Sequence, residues 1–262
     1  MKSRGMRRPL DLATRPGPPA FGELGHRRWQ LFGILLSHLC ACSTPSAVPP
    51  PTHPSPLSVK AAEAERASQT ARAPTSFKML HQVVAKYQGQ SYLMSGYLLG
   101  RKDGSFRVSA SAPIGPKLFD VAKVNGRWES HVYLKPLAER LDATNVGRSV
   151  ERIYFLSAKG PLKLDSGLLV SRSTVHGEDE IDAVEDWLDA ETLALRRRRF
   201  FKSGTQVVQV DYDKLELVQG VWLARNVQLA DGRGFSLELS VTEYVPGFPA
   251  PDSVLNLQVD NQ

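Results

Sequence analysis

Residues 235–244 read FSLELSVTEY, and this stretch decides the fold class. Its apolar side chains alternate with polar ones, so they share one face of an extended strand. Such alternation is typical of an antiparallel strand that has one buried face and one face in water. Similar patterns recur in residues 106–111, 205–213 and 221–229. The chain is therefore predicted to be mainly β.

Turn dipeptides separate the candidate strands. They are Asp103-Gly104, Asn125-Gly126, Ser203-Gly204 and Asp231-Gly232. These residue types tolerate positive φ and favour tight hairpins. Counting all segments of this kind gives roughly eleven strands, which is too many for a small open sheet and predicts that the sheet curls or closes.

Helical spacing occurs in three segments. Phe77, Leu80, Val83, Val84 and Tyr87 predict an amphipathic helix that opens the folded domain. Further on, a segment that begins at Pro136 and a second one at residues 149–155 also have helical spacing, which predicts central helices. Such helices would cap the concave side of a curved sheet and enclose an apolar cavity with a lid. A plainly packed core is the alternative, and periodicity leaves it open.

The N-terminal region has the pattern of a lipoprotein signal peptide. Residues 29–42 read WQLFGILLSHLCAC, follow two arginines and end in small residues. The apolar run is too short to cross a bilayer, which takes about 20 helical residues. We expect a signal peptide at residues 1–41, cleavage before Cys42 and lipidation of Cys42. The alternative is that Cys42 is a small core residue.

The rest of the chain divides into a tether and one domain. Residues 43–56 are almost all Pro, Ser, Thr and Ala, which favours an extended polyproline II conformation. Residues 58–72 lack an apolar stripe and are assigned to the linker as well. The predicted organisation is therefore a lipidated, Pro-rich tether at residues 42–76 and a folded domain at residues 77–262.

The net charge of +6 does not indicate a nucleic-acid partner. Residues 1–42 hold seven basic and two acidic residues, so residues 43–262 carry a net charge of only +1. A nearly neutral domain has no bulk field that attracts phosphate backbones.

Two stretches resemble the LolA and LolB lipoprotein-localisation superfamily, and LolB-type outer-membrane lipoproteins and related bacterial lipoproteins most of all. The first is SAPIGPKLFDV at residues 111–121, and the second is the hairpin series that includes DWLD at 186–189 and GVWLA at 220–224. The resemblance implies an incomplete antiparallel β-barrel with an N-terminal helix and central lid helices. It also implies an apolar cavity that binds acyl chains.

The resemblance assigns two sets of residues. Ile114, between Pro113 and Gly115, takes the place of an exposed apolar residue on a membrane-insertion loop; alternatively, it plugs the end of the sheet. The candidate cavity or lid residues, which are equally good candidates for ordinary core, are Leu137, Leu141, Ile153, Phe155, Trp187, Phe200, Trp222 and Leu237.

The arginine run at residues 196–199 lies on a predicted strand, so two side chains point to each face. Cross-strand pairing with Asp186 and Asp189 is the simpler interpretation. A patch for anionic headgroups is the alternative. The resemblance also suggests that inward-facing arginines bond the lid helices.

No motif for catalysis or metal binding is present in the sequence. There is no Gly-x-Ser-x-Gly, His-Glu-x-x-His, phosphate loop or dinucleotide fingerprint. The acidic stretch around His176 lacks the ligand spacing of a hard-ion loop and is interpreted as a solvated loop. We expect no enzyme, no cofactor and no metal.

The functional expectation is an outer-membrane lipoprotein that faces the periplasm. Ser43 after the lipidated cysteine fits export to the outer membrane. The protein would take lipoproteins or lipids as cargo, receive them from a periplasmic carrier protein and insert or transfer them at the membrane. The alternative is a non-catalytic envelope scaffold whose half-barrel is filled by its own side chains.

Overall fold

The computed structural model describes residues 56–87, 89–134, 142–176 and 180–257. The chain separates into two compact units, Met1–Pro51 and Thr52–Gln262, and all described residues belong to the second. The predicted signal peptide and Cys42 lie outside the described residues, as do Leu137 and Leu141. In the described part of the chain, no helix has both the length and the apolar character needed to span a membrane.

The described part of the chain forms twelve strands and three helices. The strands are β1 (Ser76–Tyr87), β2 (Gln90–Arg101), β3 (Phe106–Ser111), β4 (Lys117–Val124), β5 (Arg127–Val132), β6 (Leu162–Asp165), β7 (Leu168–Thr174), β8 (Ala183–Asp189), β9 (Leu195–Lys202), β10 (Thr205–Val218), β11 (Val221–Asp231) and β12 (Phe235–Pro246). The helices are α1 (Val59–Arg72), α2 (Ala143–Tyr154) and α3 (Asp252–Leu255).

All twelve strands belong to one antiparallel sheet with the order β5-β4-β3-β2-β1-β12-β11-β10-β9-β8-β7-β6. Strand β12 returns to pair with β1 along its length, so two meanders meet at the centre of the sheet. The outermost strands β5 and β6 do not pair with each other, and the sheet is open. The predicted β class is confirmed, the count of roughly eleven strands is close to the twelve found, and the sheet does not close.

The predicted opening helix is wrong, because Ser76–Tyr87 is strand β1. It pairs with β2 on one side and β12 on the other. Val83 and Ala85 pack in the core, and His81 is also buried at the same alternate spacing. Apolar residues occur on both faces of this central strand, which produces spacing that imitates a helix. Tandem β-branched residues such as Val83 and Val84 favour the strand.

Helix α1 lies in the stretch that was assigned to the linker. The Ser58 hydroxyl accepts a hydrogen bond from the Ala61 amide at 3.3 Å and caps the helix. Ala62 is fully buried in a cluster with residues of β6, β7 and β8. The Arg66 guanidinium donates to the carbonyl oxygens of Ala158 and Gly160. One small buried residue and polar contacts dock this helix, so it needs no apolar stripe.

The two faces of the sheet carry different elements. We call the face that bears Val83, Phe200 and Leu237 the inner face, and helix α2 packs on it. Helix α3 packs on the opposite, outer face, where Leu255 is buried against Leu99 and Val124. The central helix predicted around residues 149–155 is present, and it begins earlier, at Ala143.

Candidate functional site

Helix α2 bridges the two halves of the sheet. Its N-terminal part packs on β4 and β5, where a Cβ atom at Gly147 would lie 2.8 Å from Val121 Cγ1. Its C-terminal part reaches β9 and β10, because Ile153 belongs to the same core cluster as Phe200 and Val210. One helix of twelve residues thus covers apolar surface from both meanders.

A buried ion pair holds the C-terminal end of α2. Arg198 Nε lies 2.6 Å from Asp186 Oδ1, and both side chains are almost fully buried. Arg198 Nη1 donates to the carbonyl oxygens of Arg152 and Ile153 at 3.1 and 3.2 Å. Burial opposes the charged guanidinium, but the Asp186 carboxylate outweighs it and raises the pKa of Arg198. A cation at the last turn also stabilises the helix dipole.

Further hydrogen bonds complete this attachment. The Tyr212 hydroxyl donates to the Ile153 carbonyl at 2.7 Å. Burial raises the pKa of Tyr212, so this hydroxyl keeps its proton and remains a donor. Asp186 Oδ2 accepts from the Ala158 amide at 3.0 Å, which fixes the chain just after the helix. The C-terminal end of α2 is therefore held by directional bonds on three sides.

His81 on β1 contacts the same end of the helix. Its Nε2 lies 2.9 Å from the Tyr154 hydroxyl, and the imidazole is 6% exposed. Burial lowers the pKa of His81 to about 4. Burial also raises the pKa of Tyr154. The pair is thus neutral in ordinary buffers, and it adds one more bond without adding a charge to the inner face.

Two ion pairs flank the last turns of α2. Glu151 contacts Lys123 of β4, and Arg152 Nη2 lies 2.8 Å from Glu180 Oε2. The Arg152 guanidinium lowers the pKa of Glu180, so that carboxylate is ionised. These pairs add to the fixed attachment of the C-terminal end.

Four of the predicted cavity or lid residues come together on the inner face. Ile153, Phe200 and Leu237 share one core cluster. Phe155 lies beside it, with its ring centroid 5.1 Å from that of Phe106 and 6.1 Å from that of Phe77. These side chains pack in two neighbouring core clusters, to which α2 also contributes.

The two predicted tryptophans lie elsewhere. Trp187 is partly exposed; its indole N–H donates to Glu185 at 2.8 Å, and the Arg199 guanidinium lies 4.9 Å from its ring centroid. Trp222 pairs across the strands with Leu217, which is mostly exposed. Trp222 belongs to none of the core clusters that the described residues form. The alternation of side chains along a strand explains both positions, because a residue next to an inward-facing one points outward.

Ile114 lies on the turn between β3 and β4 and is 99% exposed. The Ala112 amide donates to the Pro116 carbonyl at 3.2 Å and closes this turn, so Pro113, Ile114 and Gly115 form its tip. The alternative that Ile114 plugs the end of the sheet is therefore wrong. An isoleucine on a tight turn could enter the boundary of a membrane at low ordering cost.

The arginine run alternates as predicted. Arg198 points inward and pairs with Asp186, whereas Arg197 Nε contacts Asp211 at 2.6 Å. Arg196 contacts Asp189 at 2.9 Å. Cross-strand pairing and an inward arginine that bonds a central helix are both present, and the pairing leaves less free charge for a headgroup patch.

The sequence interpretation missed His81, Tyr154 and Tyr212 as parts of the site. Tyr212 carried a usable signal, because it continues the buried alternation of Val208 and Val210. A hydroxyl at an inward position must find a hydrogen-bond partner. That requirement points to an element that covers the sheet there.

One open pocket of about 460 Å³ lies on the outer face, between β4, β5 and α3. Its lining is mainly polar and consists of Ala122, Val124, Asn125, Arg127, Glu129, Asp252 and Asn256. It does not match the apolar cavity that the resemblance implies. Among the residues whose positions are described, no group of His, Cys, Asp and Glu is arranged to hold a metal ion.

Comparisons with known proteins support the fold. No protein-family model matches the sequence, and no curated protein matches it. A LolA superfamily protein from Nitrosomonas europaea aligns with a TM-score of 0.53 at 12% identity, covering 75% of this chain and 97% of that one. A DUF1329 family protein from Desulfovibrio piger aligns with a TM-score of 0.52 at 15% identity, covering 74% of this chain and 94% of that one. The chain therefore has a LolA/LolB-like fold.

Proposed function

We propose that the protein is a bacterial envelope lipoprotein that binds acyl chains of lipoproteins or lipids and helps insert or transfer them at the outer membrane. The observation that carries this proposal is the position of α2, which lies over apolar side chains from both meanders of an open sheet. A sheet that is open at β5 and β6 can take up a chain without breaking any strand pair.

Acyl chains can replace the contacts that α2 makes. The side chains under the helix are aliphatic and aromatic, and burial of apolar surface contributes about 25 cal/mol per Å² whichever partner covers it. An acyl chain that takes the place of Ala143 and Val146, at the N-terminal end of α2, therefore keeps most of the burial. Displacement of this end leaves the directional bonds at the C-terminal end intact, which makes α2 a lid in the sense used for substrate closure.

The anchor and the partners follow from the sequence. Acylation of Cys42 would hold the domain at the outer membrane, facing the periplasm, because two or more acyl chains anchor a protein stably. A periplasmic carrier protein would deliver the cargo, and Ile114 would contact the membrane during transfer. In this proposal the protein is not an enzyme, needs no cofactor and does not bind nucleic acid.

A second candidate function is an envelope scaffold with a filled half-barrel. The observation that favours it is the dense packing beneath α2, where Phe200 is 0% exposed and Ile153 is 2% exposed. In that case α2 is a permanent part of the core and the protein binds a partner through its surface.

Lipid recovery distinguishes the two functions. The full chain, purified from membranes, is extracted, and the non-covalent acyl content per protein is measured by mass spectrometry. Ala85 faces the core, whereas its neighbour Val84 points to the other face, so Ala85→Phe and Val84→Phe form a matched pair. We expect acyl content and uptake of a fluorescent fatty acid to fall several-fold in Ala85→Phe and to be unchanged in Val84→Phe. Thermal unfolding of both variants checks that they fold.

The opposite outcome would establish the scaffold. In that case the parent chain carries no acyl groups beyond its own anchor and does not take up the fluorescent fatty acid. The Ala85→Phe and Val84→Phe chains would then behave alike.

A further inference from the structure

The exposed apolar side chains concentrate at one end of the sheet. Those on β1 to β5 and their turns are Tyr87, Tyr92, Leu93, Ile114, Tyr133 and Leu134. Soluble proteins rarely gather such residues without a partner surface. We call this end of β1–β5 the rim.

Strand register places these residues together. The β2–β3 pairing begins at Ser95 and Ser111, so residues 90–94 of β2 extend past this ladder at the end where the turn carries Ile114. Phe119 at the start of β4 pairs with Val132 at the end of β5, which puts Tyr133 at the same end. The tip of the β1–β2 hairpin, the Ile114 turn and Tyr133 therefore lie together on the rim.

The hairpin exposes apolar groups on both of its faces. Tyr92 pairs with Ala85 and points to the inner side, whereas Leu93 pairs with Val84 and points to the outer side. Tyr92 is 46% exposed and Leu93 is 57% exposed. A groove on a protein covers one face of a strand, but the boundary of a lipid bilayer surrounds an inserted tip. Exposure on both faces therefore favours a lipid surface.

The residue types also fit a lipid surface. Tyrosine is enriched at the membrane interface, where its ring lies among the headgroups. No Asp or Glu occurs between Lys86 and Arg101 or between Arg107 and Phe119, so neither tip carries a charge that anionic headgroups repel. Lys86 pairs with Glu238 at 2.6 Å and lies behind the hairpin tip.

Helix α2 connects the rim to the inner face. Ala143, the first residue of α2, packs in a cluster with Phe119 and Ala110, which lie next to the rim. The N-terminal end of α2 is therefore near the surface that would meet the membrane.

We infer that the tip of the β1–β2 hairpin inserts into the headgroup boundary of a phospholipid bilayer beside Ile114, so that the rim seats the domain with the N-terminal end of α2 toward the lipid. This inference rests on the proposed function for the identity of the membrane. The contact between the hairpin tip and the bilayer does not depend on cargo. The inference adds Tyr92 and Leu93 to Ile114 as membrane-binding residues.

Vesicle binding tests the inference. The mature chain, residues 42–262 with Cys42→Ser, has neither the predicted signal peptide nor the expected anchor. It is mixed with vesicles of phosphatidylethanolamine and phosphatidylglycerol and sedimented. We expect Tyr92→Ser/Leu93→Ser to bind at least tenfold more weakly, because a tenfold loss corresponds to about 1.4 kcal/mol, less than the burial of one large apolar side chain contributes. Ile114→Ser is expected to have a comparable effect.

Matched controls use exposed leucines away from the rim. Leu164 and Leu217 are 60% and 55% exposed, and Leu164→Ser/Leu217→Ser should bind vesicles within about twofold of the parent, because single exposed apolar residues have no common partner. Since all four positions are exposed, thermal unfolding should change little.

The inference is wrong if the parent and Tyr92→Ser/Leu93→Ser bind vesicles equally, or if Leu164→Ser/Leu217→Ser weakens vesicle binding as much. It is also wrong if Tyr92→Ser/Leu93→Ser keeps vesicle binding but loses a complex with another protein. Failure of the proposed function has a different signature. Tyr92→Ser/Leu93→Ser should keep fatty-acid uptake in solution. A parent chain that binds vesicles but takes up no fatty acid would contradict the cargo proposal and leave the rim supported.

Discussion

The two ends of α2 are attached in different ways. At the C-terminal end, Arg198, Tyr212 and His81 make directional polar contacts in a buried setting. At the N-terminal end, Ala143 and Gly147 make close apolar contacts with β4 and β5. Apolar contacts are non-directional and an acyl chain can replace them, but it cannot replace a donor to a helix carbonyl. If α2 acts as the proposed lid, the difference places its hinge at the C-terminal end and its opening at the N-terminal end.

The largest effect is expected from Arg198→Ala. The substitution leaves the Asp186 carboxylate buried without its cation and removes the donor to two carbonyls of α2. Breaking one partner of a buried ion pair costs about 3–5 kcal/mol. Urea unfolding should show this loss in the free energy of unfolding.

Arg196→Ala is the matched control for this change. Its pair with Asp189 has the same chemistry, but Arg196 is about half exposed, so the cost should stay below about 1 kcal/mol. If the two substitutions cost the same, the C-terminal end is not specially held and the comparison fails.

The second prediction concerns pH and His81. The pKa of His81 is about 4 in the folded protein, against about 6.5 in an unfolded chain. The unfolded state therefore binds the proton first as the pH falls. This contribution to stability is fully present above pH 6.5 and decreases between pH 6.5 and 4, by about 3 kcal/mol in all.

His81→Gln isolates this contribution, because glutamine is not ionisable and can still bond to Tyr154. Unfolding free energies of the parent and the variant should be compared across this pH range. Parallel curves would show that His81 titrates normally and is not buried against the helix.

At the other end of α2, Gly147→Ala should open the lid. The added methyl group would lie 2.8 Å from Val121 Cγ1 and would also meet the Trp128 ring. Overpacking of this kind costs about 1–3 kcal/mol. Because the strain falls at the N-terminal end, we expect fluorescent fatty-acid uptake to rise by a measurable factor.

Asn145→Ala controls for helix propensity in this experiment. Asn145 is an exposed residue of the same helix, so its substitution favours the helix without a clash. If fatty-acid uptake rises equally in Gly147→Ala and Asn145→Ala, helix propensity controls binding, and displacement of α2 from β4 does not.

The smallest effect is expected from Asp142→Ala. The Asp142 carboxylate accepts a hydrogen bond from the Thr144 amide at 2.9 Å and caps α2. Loss of an N-cap costs about 1 kcal/mol. Hydrogen exchange should show faster opening in the first turn of α2 and unchanged protection around Ile153. Equal changes at both ends would contradict a hinge.

The sequence predicted the sheet better than the helices. Alternation on β12 and in the run at residues 196–199 was correct, because parity on a strand follows directly from geometry. The resemblance suggested that one or two of these four arginines could face inward, and Arg198 does so. The opening helix was wrong because β1 lies at the centre of the sheet, where both of its faces contact other groups. Tertiary position thus overrode a local pattern.

The site was only partly predictable for a similar reason. Ile153, Phe200 and Leu237 look like core in any fold, and in the structure they share one core cluster. Trp187 is equally apolar, but the alternation of side chains along β8 points it to the outer face, where it lies under Arg199. The polar attachment of α2 depends on backbone carbonyls, which have no sequence signature.

The place where α1 begins has a mechanical consequence. The Leu57 amide donates to Ala190, between β8 and β9, and this is the end of the sheet opposite the rim. A twelve-residue strand such as β1 is about 40 Å long, so Leu57 and the rim are separated by about one strand length. If the proposed anchor and the rim meet the same leaflet, the chain before Leu57 has to bridge that distance. Shortening that part of the chain should then weaken the contact of the hairpin with the bilayer.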